Sequence, residues 1–471
     1  MIFEMILSNT YDMKNRKKGS LTRRQFVMTA SLAAAGTPVI MRSFAPDRKS
    51  ATAPSDKINL GIIGCGSLGK VNLEACASHP DVVLTAACDV WKDRLDPVVA
   101  KYSKTCTGYS DYRDLLKHKG LDAVIIATPA HWHALMAIEA AEAGLDIYLQ
   151  KPMTMHPGES IAVRNAVRKN GVMCQVGTQI HSTDHYRRMV ELVRSGNLGH
   201  ISTVRTFFVM NEAPDGIGLG NNTSKVPDGL NWDMWVGPAR MQLFNPNLVK
   251  EAYYHCFWMD FSGGWTPGMA PHITDLPVWA LELGYPTEIS ATGGRYIIND
   301  DSDAYDNHEV LWQYPKMTMT WMQSSANSHG FAFQGADKSG LGYETGTRRR
   351  LGIYFHGTNG TLITDYSSHI LVPEGVRMQG MEIPDKSIPS SPGQELEWIE
   401  SIKSRKPPLC NPEYHIKVDL PIQLSILSMK IGRSIKFDPE TERITGDDEA
   451  VRLSVPEYRR PWRFPAEYLN V

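Results

Sequence analysis

The sequence predicts an α/β protein: a doubly wound parallel sheet at the N-terminal end, then a second α/β domain. Three observations carry this. Apolar runs at 58–63, 82–88, 122–127 and 146–149 alternate with helix-length segments, the pattern of right-handed βαβ crossovers. The first run ends in a glycine-rich turn that opens a helix. The roughly 400 residues beyond the N-terminal segment are more than one hydrophobic core normally holds.

The stretch 58–89 sets the frame. Ile58-Asn59-Leu60-Gly61-Ile62-Ile63 reads as a buried strand, and Gly64-Cys65-Gly66-Ser67-Leu68-Gly69 turns it into a helix. Gly64 permits the tight turn. Gly66 leaves the backbone open to a pyrophosphate, and Gly69 lets helix and strand lie close. Ser67 and Leu68 open the helix, where unpaired N–H groups and the positive dipole end favour phosphate. The second strand ends in Asp89, about 20 residues past the last glycine, where a carboxylate accepts hydrogen bonds from ribose hydroxyls. Strand, turn, helix, strand and acid in register point to a dinucleotide. Asp89 favours NAD by repelling a 2′-phosphate, while Lys92 and Arg94 keep NADP open.

The next elements follow the same alternation. A helix is expected over 91–102 and a short one after Asp111. The third strand, 122–127, runs into Thr128-Pro129, and His131-Trp132-His133 opens the helix that ends at Gly144. The strand 146–149 delivers Gln150-Lys151-Pro152. Ligands of such sheets bind beyond the carboxyl ends of the strands, so Thr128, Pro129, His133, Gln150 and Lys151 share one rim with the glycine turn. Lys151 is the leading catalytic candidate. A desolvated lysine there can hold or relay the proton of a substrate hydroxyl.

The first 53 residues read as a separate segment. A basic patch at 14–18 precedes Thr22-Arg23-Arg24-Gln25-Phe26-Val27-Met28, which resembles a twin-arginine export signal, and the apolar stretch 27–40 is too short to span a bilayer. Ala51-Thr52-Ala53 and Ser43-Phe44-Ala45 are candidate cleavage sites. A route that exports folded proteins suits an enzyme that must acquire its nucleotide before leaving, so the expected location is the periplasm. Net charge is −2, which points away from nucleic acid and anionic membranes, and no later stretch is long and apolar enough to insert. Seven scattered cysteines include no C-x-x-C pair and no metal-ligand spacing, so no metal is expected. Tryptophans cluster between 232 and 279, a density that often marks sugar-binding clefts.

The glycine fingerprint, Thr128-Pro129 with His133, and Gln150-Lys151-Pro152 together resemble the Gfo/Idh/MocA family of glucose–fructose oxidoreductases and inositol dehydrogenases. The resemblance continues through Val176-Gly177-Thr178-Gln179, the helix 184–196, Asn231-Trp232-Asp233-Met234-Trp235 and the segment 268–284. It implies a Rossmann domain (54–176), then an α/β domain with a large, mostly antiparallel sheet (177–435) and a C-terminal arm (436–471). It also implies a tightly held NAD or NADP with Gln179 among the cofactor contacts, sugar-like substrates, and homo-oligomers, dimers or tetramers, packed through the open sheet face.

The same resemblance assigns the chemistry. The lysine of the family's Glu-Lys-Pro contacts the reacting hydroxyl; here it is Lys151. A histidine at the position of His272 is the usual acid/base, often with an aspartate four residues before it. Here Gln150 replaces the glutamate and Gly268 the aspartate. Asp275, at i+3 from His272, is expected to orient the imidazole or touch substrate. His181, Trp232, Trp235, Tyr253, His255 and Trp258 fall in segments that line the family's cleft. The expected activity is NAD(P)-dependent oxidation or reduction of a sugar or glycoside hydroxyl. The alternatives are an NAD-dependent glycosidase working by transient oxidation, elimination and reduction, and a sugar-binding relative that has lost turnover.

Overall fold

A computed structural model describes residues 57–223, 225–330 and 350–470. The segment read as a twin-arginine signal and most of the glycine-rich loop expected over 328–350 lie outside these residues. The first lobe is a six-stranded parallel sheet in the order β3-β2-β1-β4-β5-β6. Its strands are β1 (Ile58–Ile63), β2 (Val82–Cys88), β3 (Thr107–Tyr109), β4 (Ala123–Ile126), β5 (Asp146–Gln150) and β6 (Cys174–Gly177). The helices α1 (Ser67–Ala77), α2 (Lys92–Lys101), α3 (His133–Glu142) and α4 (Pro157–Asn170) form the crossovers. β1 lies between β2 and β4, so the strand order reverses beside the glycine turn. That reversal opens the crevice in which such sheets bind ligands.

The second lobe is a nine-stranded sheet in the order β13-β12-β11-β7-β10-β9-β8-β14-β15. It comprises β7 (Ile201–Val209), β8 (Glu288–Gly294), β9 (Asn307–Tyr314), β10 (Met317–Ser324), β11 (Leu351–Gly357), β12 (Gly360–Thr364), β13 (His369–Pro373), β14 (Ile435–Asp438) and β15 (Arg443–Thr445). All its pairs are antiparallel except β7 with β10. β9 and β10 alternate strictly. Val310, Trp312, Met319 and Trp321 face the core, while Glu309, Leu311 and Gln313 face out, Leu311 being 41% exposed.

Helices α5 (Asp184–Arg194), α6 (Trp265–Ala280), α7 (Gln394–Ser404) and α8 (Pro412–Ile431) join the lobes. α6 is buried on every side, which explains its apolar composition all round. Gly263 and Gly264, at φ +74° and +92°, make the turn before it that a side chain would strain. The sheet grips these helices through indole donors: Trp321 Nε1 to Thr266 Oγ1 at 3.0 Å, and Trp312 Nε1 to the Pro421 carbonyl at 2.9 Å. α8 starts at an Asn411 cap with Pro412 in its first turn and stops at Gly432 in the left-handed region. The arm expected over 436–471 begins inside the second sheet, as β14 and β15. Its last part returns to the first lobe, where Trp462 meets Trp132 edge-on with ring centres 4.8 Å apart. No helix among the described residues is long and apolar enough to cross a membrane.

Candidate active site

The glycine turn is shaped by what its backbone must avoid. A Cβ on Gly64 would lie 2.4 Å from the Ala127 carbonyl oxygen, and one on Gly69 would lie 2.0 Å from the Gly64 carbonyl oxygen. Gly66 is different, since the nearest atom to its missing Cβ is Arg94 Nη1 at 3.8 Å. Gly66 also caps α1 without any side-chain acceptor, so the first-turn N–H groups at Ser67 and Leu68 stay available. Asp89 braces the turn: Oδ2 accepts the Cys65 N–H at 2.8 Å and Oδ1 the Trp91 N–H at 2.9 Å. Burial pushes its carboxyl pKa up. Each oxygen keeps a second lone pair for a ribose hydroxyl. Arg94 stacks 4.8 Å over Trp91 and donates to the Val249 carbonyl at 2.9 Å. Lys92 N–H bonds the Gly229 carbonyl and Asn231 N–H the Val90 carbonyl, so residues 229–250 border this end of the crevice. The open cradle, free donors and acid fit a dinucleotide.

At the other end, Lys151 Nζ donates to the Gly268 carbonyl at 2.8 Å, which joins the end of β5 to the start of α6. Burial lowers its pKa, opposed by Cys256 and Asp419. His272 is one turn further along α6, 1% exposed, and neither ring nitrogen has a hydrogen-bond partner. Burial first, then the Lys151 and His415 charges, drives its pKa well down, so the ring is neutral with a free acceptor. His255 is pushed down to about 3, by burial first and Lys151 next. Cys256 follows His255, its thiol 3.9 Å from His255 Nε2 and pushed up to about 11 by burial. A Cβ on Gly268 would lie 3.1 Å from the Cys256 sulfur. The place left by the family's aspartate is thus filled by a thiol.

Other expected residues take different positions. Asp275 does not orient His272. It is fully buried and turned away, with Oδ2 2.9 Å from His181 Nδ1 and Oδ1 accepting the Tyr414 hydroxyl at 2.6 Å. His181 stacks on Trp279 at 3.8 Å and is itself 1% exposed. His181, Asp275 and Cys410 offer ligand atoms within 4.8 Å of one another. Asp275 already serves two donors there and burial drives the Cys410 thiol far up, so the three read as a hydrogen-bonded core cluster. Trp232 stacks on Trp235 at 4.9 Å, and Trp235 packs against His131 and Phe261. Trp258 is 4% exposed. Trp232 and Trp235 thus pack chiefly on neighbouring rings. Tyr253 is half-buried 6.0 Å from Trp265, and half-buried His255 stays beside the lysine.

The rim residues behave as struts. His133 Nδ1 lies 2.7 Å from the Pro152 carbonyl and Nε2 2.9 Å from the Thr128 carbonyl, so it ties the Thr128-Pro129 turn to the lysine turn. Gln150 is buried, accepts the Lys151 N–H at 3.1 Å and donates to Asn72 Oδ1 at 2.9 Å. Asn72 continues to Glu395 at 2.7 Å. A neutral amide at 150 therefore feeds a buried polar chain that ends on a carboxyl raised by burial. Gln179 opens a short 3₁₀ turn directly after β6, half-buried at the same rim. Cys256, Asn72, Glu395, Tyr414, His415 and Asp419 are the site residues that sequence reasoning missed. Only the i, i+4 spacing of His415 and Asp419 on α8 offered a signal.

Comparison with known proteins gives two family matches. The oxidoreductase family model for the NAD-binding Rossmann fold (GFO_IDH_MocA) matches residues 58–178, and the model for its C-terminal alpha/beta domain (GFO_IDH_MocA_C2) matches 332–464. The scyllo-inositol 2-dehydrogenase (NAD(+)) of Bacillus subtilis is 31% identical over 144 residues, 30% of this chain and 42% of that protein. A glycosyl hydrolase family 109 protein of Shewanella pealeana is 28% identical over 207 residues, 38% of this chain and 44% of that protein. The chain thus matches under half the length of these curated relatives. Among solved structures, the WlbA dehydrogenase from Chromobacterium violaceum, in complex with NADH and UDP-GlcNAcA, superposes with a TM-score of 0.59 at 16% identity, covering 82% of this chain and 97% of that one. Levoglucosan dehydrogenase in complex with NADH gives 0.55 at 18% identity, covering 81% and 99%. At these identities the likeness is one of fold.

Proposed function

The chain belongs to the Gfo/Idh/MocA oxidoreductase family, with an NAD-binding Rossmann domain, and from that premise we propose that it transfers hydride to or from a hydroxyl-bearing carbon of a sugar or glycoside. The observation that carries this is Lys151 Nζ on the Gly268 carbonyl beside an unpartnered, neutral His272, on the rim that bears the glycine turn. When bound, the nicotinamide supplies the hydride chemistry. The chain's own residues handle the proton. Burial favours the amine form of Lys151, which can accept a hydroxyl proton, and His272 offers a free nitrogen to relay it. His133 and Gln150 hold the lysine turn in place. Asp89 favours NAD by repelling a 2′-phosphate, and Arg94 is held on Trp91 and the Val249 carbonyl.

The match to the glycosyl hydrolase family 109 protein favours a second reading. Oxidation at C3 of a glycoside acidifies the C2 proton, so the C1 substituent can be eliminated. Water addition and reduction then restore the sugar with no net redox change. One experiment separates the readings. Purified protein is incubated with a panel of glycosides while 340 nm absorbance and sugar release are both followed. Net cofactor reduction supports the dehydrogenase, and release without it supports the glycosidase. Neither, across the panel with cofactor bound, supports a sugar-binding protein without turnover.

Two further readings belong with this proposal. Residues 22–26 act as a twin-arginine signal, and the protein works in the periplasm with a retained cofactor; Arg23→Lys with Arg24→Lys should keep it in the cytoplasm on fractionation. The half-exposed outer face of the second sheet supports a homo-oligomer, which light scattering on the purified protein tests.

A further inference from the structure

Behind the lysine turn stand two side chains with no part in the function proposed above. His415 and Asp419 lie one turn apart on α8, at 0% and 1% exposure. Asp419 Oδ2 accepts the Met153 N–H at 2.6 Å and lies 3.2 Å from His415 Nδ1. On the far side of the ring, Nε2 lies 2.5 Å from Thr178 Oγ1. Met153 is two residues past Lys151, and Thr178 immediately precedes Gln179. One turn of α8 therefore holds both turns that form this end of the crevice, Asp419 on the Met153 N–H and His415 on the Thr178 hydroxyl. Asp419 Oδ1 and His415 Nδ1 are both buried with no hydrogen-bond partner, so the two side chains meet by close approach and not through a hydrogen bond.

The charges around Lys151 make this pair consequential. Its own turn offers the neutral Gln150 amide. α6 offers the Gly268 carbonyl and the His272 ring, and the segment before α6 offers His255 and Cys256. Glu395 reaches Gln150 only through Asn72. Burial keeps both histidines neutral and the thiol protonated. Among the described groups that act on Lys151, this leaves Asp419 as the carboxylate. We propose that His415 and Asp419 are a positioning pair: they tie the Lys151 turn to the Thr178 turn, and the Asp419 carboxylate is the counter-charge that Gln150 and Gly268 do not supply. The proposal rests on Lys151 as the proton-handling group, and its test reads the lysine itself rather than turnover.

Full-length protein carrying its cofactor is trace-labelled with acetic anhydride from about pH 6 to 11, and the Lys151 peptide is quantified by mass spectrometry. Asp419→Asn keeps an oxygen for the Met153 N–H and removes the charge. It should lower the labelling midpoint of Lys151 by about one pH unit or more, with cofactor content unchanged. His415→Gln removes the tether and keeps the carboxylate. It should leave the midpoint within a few tenths of a unit while raising the extent of Lys151 labelling severalfold. Asp419→Ser carries the same expectation as Asp419→Asn should the latter fail to fold. A midpoint in the neutral variants that superimposes on the wild type overturns the counter-charge, and an unchanged labelling extent in His415→Gln overturns the tether. A protein inactive on every sugar leaves both readouts intact, so failure of the dehydrogenase reading is distinguishable from failure of this one.

Discussion

The glycine end and the lysine end of the crevice are built by different means. At the glycine end the work is done by backbone, with missing Cβ atoms, free helix N–H groups and one acid that bonds two amides of its own turn region. Apart from the Trp91 amide and the Ala127 carbonyl, these parts lie within 58–89. At the lysine end the work is done by side chains from four separate places: 150–151, 255–256, 268–272 and 415–419. Backbone shape tolerates little substitution, and this end keeps the family fingerprint intact. A side-chain cluster can be re-balanced, and this end holds both departures, Gln150 and Gly268. The structure shows how each is absorbed, the first by the Asn72–Glu395 chain and the second by the Cys256 thiol.

The contrast is tested most strongly by changing one end at a time. Lys151→Met should cut turnover about 10²–10⁴-fold with cofactor content unchanged. Gly69→Ala places a Cβ 2.0 Å from the Gly64 carbonyl oxygen and should empty the protein of nucleotide, measured by absorbance of the nucleotide released on denaturation. If each variant lost both properties, the distinction between the ends would fall.

Acid comes next in size. His131 is held at about 4 and His255 at about 3, with His272 well below its ordinary 6.5, each chiefly by burial. The unfolded chain binds these protons near pH 6.5 and the folded chain does not. Stability is therefore full above about 6.5 and falls as pH drops toward 4, by up to about 1.4 kcal/mol per pH unit for each such ring. Asp89 shifts the other way: its raised pKa favours the folded state at low pH and costs stability as pH rises through it. Denaturant melts at pH 7 and pH 5 should show the loss, and His131→Gln should reduce it.

A smaller effect probes the filled gap. Gly268→Asp crowds the Cys256 sulfur and should cost about 1–3 kcal/mol in thermal melts. Adding Cys256→Gly should recover most of it. If the double variant melts no higher than Gly268→Asp alone, the thiol is not what occupies the aspartate's place.

The two ends also differed in how far they could be read from the sequence. The glycines, the helix start and the acid of the glycine end are close in sequence, so the order of residues alone exposed them, while the Ala127 and 229–250 borders come from packing. Lys151 and His272 were readable because each follows a local signal, a strand end with proline and a glycine turn into a helix. Asp275 was placed correctly on its helix and given the wrong partner, since His181 and Tyr414 reach it only through the packing of α6 against its neighbours. The Cys256–Gly268 contact depends on two backbone segments converging, which no spacing rule reports. β7, which lies between β10 and β11, was not singled out, because the polar pairs Ser202-Thr203 and Arg205-Thr206 break up its apolar residues.

Trp462 lies in the final stretch of the chain, yet it is buried against Trp132 and stacked on Tyr112 in the first lobe. The order of synthesis and the order of assembly are therefore opposed. Until residue 462 has been made, the earlier-made lobe keeps an open aromatic slot beside Tyr112 and Trp132. A chain without Trp462 would leave that slot unfilled, so the packing of the first lobe depends on a residue made more than 300 positions later.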